Sequence, residues 1–134
     1  MKRLFALAVL VCALPVMAAE VFPEKPLRLV ISVPPGGAAD FTGRVVAAKL
    51  AELLGQNVVV EGRPGAGGIV GTELGVRAAP DGHTLFFATS TTLSILPHMM
   101  STPAYDVEKD FAPVAMIGKT SLLLVVHAGL PART

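Results

Sequence analysis

Leu27-Arg28-Leu29-Val30-Ile31-Ser32-Val33-Pro34-Pro35-Gly36-Gly37-Ala38-Ala39-Asp40 joins an apolar run to a helix start through two prolines and two glycines. After Arg28 its first half is nearly continuous in apolar character, which suits a strand covered on both faces, as in the parallel sheets of α/β proteins. Pro34 and Pro35 stop the strand because proline lacks an amide donor. Gly36 and Gly37 then let the backbone turn tightly and approach a bound group. A helix opening near Asp40 adds unpaired amides and a partial charge of about +0.5, so a carboxylate or phosphate is the natural guest. No Lys or Arg lies between Val33 and Asp40, so backbone dipoles would do the holding. Asp40 reads as the helix N-cap, and a direct ligand contact is compatible with that role.

Working outward, Phe41, Val45, Ala48, Leu50 and Leu53 recur at helical intervals, and Gly55 closes that helix. Asn57 to Glu61 is a short β-branched strand. It runs into a glycine-rich loop, Gly62 to Gly68, and a second helix, Ile69 to Ala79. Pro80-Asp81-Gly82 is a turn by residue type, and His83 to Ala88 is a third strand ending in Thr89-Ser90-Thr91-Thr92. Leu93 to Met100 has the composition of a short helix interrupted by Pro97. Right-handed crossovers make the three strands parallel and aim all three loops at one sheet edge. Beyond a polar stretch, Tyr105 to Asp110, lie two apolar runs, Ala112 to Ile117 and Leu122 to Val126. A terminal strand in the second run would leave a free edge and an uncovered apolar face.

Ahead of this, Lys2 and Arg3 precede an apolar stretch from Leu4 to Leu14, followed by Pro15 and the small residues Ala18 and Ala19. This is the layout of a secretory signal, residues 1–18, and the stretch is far shorter than the roughly 20 residues that span a bilayer. Cys12, the chain's one cysteine, lies inside the apolar core after Val11 and leaves with the signal. The mature chain then needs no disulfide. Cleavage removes two of eleven basic residues and none of ten acidic ones, taking the net charge from +1 to −1. Nothing in that balance asks for nucleic acid or a membrane surface. Residues 19–134 suffice for one small domain with a modest core.

Other chemistries fit poorly. Gly65-Ala66-Gly67-Gly68-Ile69-Val70-Gly71 follows a strand and opens a helix, but its spacing is one residue longer than the dinucleotide fingerprint and it follows the second strand. There is no G-x-S-x-G, and Ser90 with His83, His98 and His127 is not a triad by sequence. The histidines are too far apart for a helix-borne metal pair and read as structural residues, so no metal and no cofactor is expected. Arg63, the one cation of the three loops, either closes on an anionic ligand or faces solvent; Gly67 beside it is a further possible contact. Thr89, Ser90, Thr91 and Thr92 can offer hydroxyls and amides to a carboxylate or serve simply as turn and cap.

Taken together, Phe22 to Val30 (FPEKPLRLV), Val33 to Arg44 (VPPGGAADFTGR), Val58 to Glu73 (VVVEGRPGAGGIVGTE), Ala78 to Leu85 (AAPDGHTL) and Tyr105 to Gly118 (YDVEKDFAPVAMIG) resemble the substrate-binding proteins of tripartite tricarboxylate transporters, the family of the Bordetella uptake gene products. The resemblance departs at Gly62, where the family usually has Asn, and at His83, where it usually has Tyr. It implies a periplasmic protein with two α/β lobes of the three-layer, type II-like kind and a parallel-rich sheet, closing on a small organic acid like a Venus flytrap. It implies a ligand carboxylate held by Pro35, Gly36, Gly37 and Ala38 after the first strand and by Thr89 to Thr92 after the third. It also implies partnership with the membrane components of a tripartite tricarboxylate transporter, and no enzymatic activity.

On this resemblance, residues 19–118 are the N-terminal part of the first lobe and residues 119–134 the crossover into a second lobe that the chain does not complete. A truncated gene product with half a site, and weak or no binding, is the expectation. The ligand would be a di- or tricarboxylate or of the amino acid class. Two other readings stand beside it: an exported α/β hydrolase-like enzyme with Ser90 as nucleophile, and a vestigial fragment that binds nothing.

Overall fold

The computed structural model describes residues 22–121, 123–127 and 129. The signal segment lies outside them. Strand β1 (Leu27–Ile31) is the middle of a three-stranded sheet in the order β2-β1-β3, with β2 at Val58–Gly62 and β3 at Thr84–Phe87. Both pairings are parallel, and the register sets Leu29 beside Val60 on one side and Leu85 on the other. Leu27, Leu29, Val30 and Ile31 are buried while Arg28 is exposed, which accounts for the uninterrupted apolar run of a central strand.

The first crossover runs from β1 to β2 and the second runs the opposite way, from β2 past β1 to β3, so their helices pack on opposite faces of the sheet. Helix α1 (Ala38–Leu54) covers the face carrying Leu29, Ile31 and Phe87, with Ala47 completing that core and Val33, Ala39, Val58, Val60 and Leu85 around it. Helix α2 (Ile69–Val76) covers the other face: the Phe86 ring lies 3.3 Å from where a Cβ on Gly75 would stand. Phe111 stacks on Phe86 with ring centroids 5.4 Å apart and meets the Tyr105 edge at 6.3 Å. The result is the expected α/β lobe with three layers.

Helix α1 differs from its sequence reading in start and orientation. It begins at Ala38 with Gly37 as N-cap, and Asp40 sits in its first turn. The buried face is Asp40, Gly43 and Ala47, while Phe41, Val45 and Leu53 are 70%, 53% and 69% exposed. The reason is close approach: a Cβ on Gly43 would stand 2.4 Å from Ile31 Cδ1, so the helix docks on its small residues. Helix α2 ends at Val76, three residues early. The segment after β3 is a π-helical turn (Thr91–Ile95) continuing into α3 (Leu96–Met99), with Pro97 in the first turn of α3 where its missing amide costs nothing.

The polar stretch contains a short helix, α4 (Val107–Asp110), whose N-cap Asp106 accepts from the amides of Glu108 and Lys109 at 3.1 and 3.2 Å. The second apolar run differs from the terminal strand expected of it. Among the described residues 111–121 and 123–127 there is no strand, and Val114, Leu123, Leu124 and Val125 are largely exposed. These runs pair with no edge of the three-stranded sheet, and an apolar run without a ladder partner has nothing to hold it extended. Among the described residues no helix is long and apolar enough to cross a membrane.

Candidate ligand-binding site

The strand order reverses about β1, and the loops after β1 and β3 diverge there, leaving a crevice at the carboxyl ends of the strands. A cavity of about 330 Å³ occupies it, lined by Ser32, Val33 and Pro34 after β1, by Pro64, Gly65, Gly67 and Gly68 after β2, and by Thr89, Thr91 and Thr92 after β3. All three loops meet at one sheet edge, as the parallel arrangement requires.

Pro35, Gly36, Gly37 and Ala38 continue directly from the cavity wall and are exposed. Gly37, the N-cap of α1, has no side chain to cap with, and the first intrahelical bond runs from the Phe41 amide to the Gly37 carbonyl at 2.9 Å. The amides of Ala38, Ala39 and Asp40 therefore point out of the helix start without a helical acceptor. Gly36 makes the turn at φ +86°, where other residues are strained. Asp40 braces the loop from below: its Oδ2 accepts from the Gly36 amide at 3.0 Å, and both carboxylate oxygens accept from Arg44 Nε at 3.1 Å. Those bonds, Arg44 first and then Gly36, hold its carboxyl below the usual carboxylate range. Asp40 thus shapes the glycine loop through the backbone and is spent on Arg44 and Gly36.

The loop after β3 is tied to itself. Thr92 Oγ1 donates to the Thr89 carbonyl at 3.0 Å and accepts from the Thr89 amide at 3.1 Å, and the Leu93 amide returns to the Thr89 carbonyl at 3.1 Å. The buried Tyr105 hydroxyl donates to the Thr92 carbonyl from the far side. Burial pushes the Tyr105 phenol up from its ordinary pKa, against a hydrogen bond with Thr72 that lowers it.

Sequence reasoning passed over Ser32. It is 2% exposed, lines the cavity, and its hydroxyl has no hydrogen-bond partner. The signal was available as the one hydroxyl in the otherwise apolar run after β1. Two glycines make its room. A Cβ on Gly71 would stand 2.8 Å from both Ser32 Cα and the Arg63 carbonyl, and one on Gly68, at φ +108°, would stand 2.8 Å from the Thr92 methyl and 3.4 Å from Ser32 Oγ.

The profile of the tripartite tricarboxylate transporter family receptor matches residues 42–134. The chain belongs to that family. Protein BugT of Bordetella pertussis is 38% identical to this receptor chain over 115 residues, 85% of the chain and 35% of BugT. A protein of Pseudomonas sp. strain P51, from the tcbD-tcbE intergenic region, is 38% identical over 109 residues, 81% of the chain and 32% of the relative. Among solved structures, a periplasmic transporter superposes with a TM-score of 0.62 at 38% identity, over 64% of this chain and 29% of that one. MatC from Rhodopseudomonas palustris, with bound malate, superposes with a TM-score of 0.60 at 33% identity, over 72% and 33%. The chain spans between 32% and 40% of the length of the curated relatives it matches. Its lobe is therefore part of the receptor fold.

Within this receptor lobe the sequence-predicted residues separate. Gly67, Thr89, Thr91 and Thr92 line the cavity, and Pro35 to Ala38 adjoin it. Ser90 is exposed and outside the lining. Arg63 turns away: its Nε donates to Glu61 Oε1 at 2.8 Å, and Arg28 Nε donates to Glu61 Oε2 at 3.1 Å. The two guanidiniums, Arg28 first, hold the Glu61 carboxyl below its ordinary value. Arg63 instead borders a second hollow with Ile69, Val70, Glu73 and Arg77, on the α2 side. Among the described residues no group of three His, Cys, Asp or Glu could hold a metal ion.

Proposed function

We propose that this chain is the ligand-gripping part of a periplasmic solute-binding receptor that captures a small organic acid by its carboxylate for a tripartite tricarboxylate-type transporter. The observation that carries the reading is the start of α1: a glycine N-cap leaves outward amides without an acceptor at the switch point of a parallel sheet, beside a cavity. Pro35, Gly36, Gly37 and Ala38 form the amide loop, Asp40 fixes it, Thr89 to Thr92 form the opposing wall, and Gly67 lets the middle loop approach. Arg63 is left to Glu61. That MatC, of the same fold, holds malate supports a dicarboxylate of similar size as the guest.

In this reading the chain is exported by its N-terminal segment and works as a binder. The hydrolase reading loses support because Ser90, its nucleophile, is exposed and outside the cavity lining. An opposing lobe of the kind the longer relatives have room for would bury the ligand and strengthen the hold. Amide chemical shifts of the full chain, followed as malate, succinate or citrate is raised to millimolar concentration, test this. Movement of the Gly37, Ala38 and Ala39 amides together with those of Thr91 and Thr92 is expected; no movement there with any of the acids overturns the reading.

A further inference from the structure

Of the hydroxyl residues that line the cavity, Thr89 and Thr92 are engaged within their own loop and Thr91 is exposed to solvent. Ser32 is different: its hydroxyl is buried, lies in the cavity wall and has no partner. Buried polar groups are paired as a rule, so a hydroxyl with no protein partner beside a cavity is open to pairing with what the cavity takes up. The chain keeps this oxygen where it is by construction. Gly71 and Gly68 are the residues whose missing side chains admit Ser32, and any Cβ at Gly71 would collide with the Ser32 backbone itself. The cavity, at about 330 Å³, is also far larger than the roughly 10–15 Å³ that admits one water.

The geometry points to Ser32 as a specificity-determining contact, whose hydroxyl pairs with a hydroxyl or keto oxygen that the acid carries beside the carboxylate gripped by the α1 amides. The inference rests on the reading of this cavity as the acid-binding site. Its chemistry is that of a single neutral hydroxyl, which both donates and accepts and so serves an alcohol or a ketone equally. Neighbours cover the oxygen in the unliganded chain, so the pairing requires the Ser32 side chain to change rotamer on binding. The preferred ligand class is then the 2-hydroxy or 2-oxo dicarboxylates, because an unsubstituted diacid leaves the Ser32 hydroxyl unpaired in the complex.

Amide-shift titrations of the full chain and of Ser32→Ala with malate and with succinate test this, alongside thermal melts of both proteins. The wild-type chain is expected to prefer malate by about tenfold, the worth of one net hydrogen bond, and Ser32→Ala to lose that preference by weakening malate alone. The melting temperature of Ser32→Ala is expected to be no lower than wild type, since the hydroxyl has no protein partner to lose. An unchanged malate-to-succinate ratio overturns the role of Ser32 while leaving the acid site standing. A lowered melting temperature with both affinities falling together makes Ser32 a structural residue and also overturns it. If neither acid moves the loop amides of the wild-type chain, the acid-binding reading itself fails, and this inference with it.

Discussion

Tyr105 donates its phenolic hydrogen to the carbonyl oxygen of Thr92, tying the segment before α4 to the hydroxyl loop from behind the cavity wall. Tyr105 is 5% exposed and Thr92 1%, so neither partner has water to fall back on. Tyr105→Phe is expected to destabilise the chain by about 1–3 kcal/mol, the cost of a buried acceptor left unpaired, read from urea denaturation.

The same phenol sets an alkaline limit. Burial raises its folded pKa above the ordinary 10.0, so its contribution is fully present below that value and is lost as pH rises through the folded pKa. Wild type should lose stability in that alkaline window, and Tyr105→Phe should lose less of it, as followed by circular dichroism melts against pH.

Asp40 gives the opposite sign at the acid end. Arg44 and the Gly36 amide depress its folded pKa below the ordinary 3.8, so its stabilisation is present above that value and disappears as pH falls through the folded pKa. Asp40→Asn should flatten that acid dependence. It should also weaken acid binding, because the Gly36 turn loses the charged brace that aims the α1 amides; melts at several acidic pH values and an amide-shift titration at neutral pH check the two effects.

Gly43 and Gly71 both sit where a side chain would collide, yet alanine should separate them. At Gly43 the obstacle is the Ile31 Cδ1 end, which can swing, and alanine gains up to about 1 kcal/mol of helix propensity in return. At Gly71 the obstacles are the Ser32 Cα and the Arg63 carbonyl, which are backbone and cannot give. Gly71→Ala should cost about 1–3 kcal/mol as an overpacked contact while Gly43→Ala stays near neutral, a contrast read from denaturation midpoints.

Asp81 lies far along the chain from these loops, where Lys25 at 2.8 Å and the His83 amide at 3.0 Å hold its pKa down to about 2. Lys25→Met should return it toward 3.8 in a carboxyl-carbon titration. The pair is exposed, 61% and 39%, so the melting temperature at neutral pH should barely change.

The strands, their order of appearance and the two loops that matter were legible because each rests on local rules. A run such as Leu29-Val30-Ile31 stays apolar only if both faces are covered, and Pro34-Pro35-Gly36-Gly37 ends a strand wherever it occurs. Helix α1 misled for an equally physical reason. Periodicity assigns the largest apolar residues to the core, whereas Gly43 allowed the helix to sit so close to Ile31 that Ala47 faces inward and Phe41 outward. The Arg63 pair with Glu61 is local, two residues apart, but the Arg28 bond to the same carboxylate was out of reach of sequence, because it depends on the register of β1 on β2.

By itself the sequence determined the α/β class, the parallel sheet and the place of the glycine turn after β1. Chain chemistry at one strand end is enough to make a proline stop, a glycine turn and an uncapped helix start. Tertiary structure alone decided which side chains border the cavity. Ser32, Gly68 and Thr92 converge from three loops, and that convergence depends on strand order and helix approach, distances that no local stretch encodes.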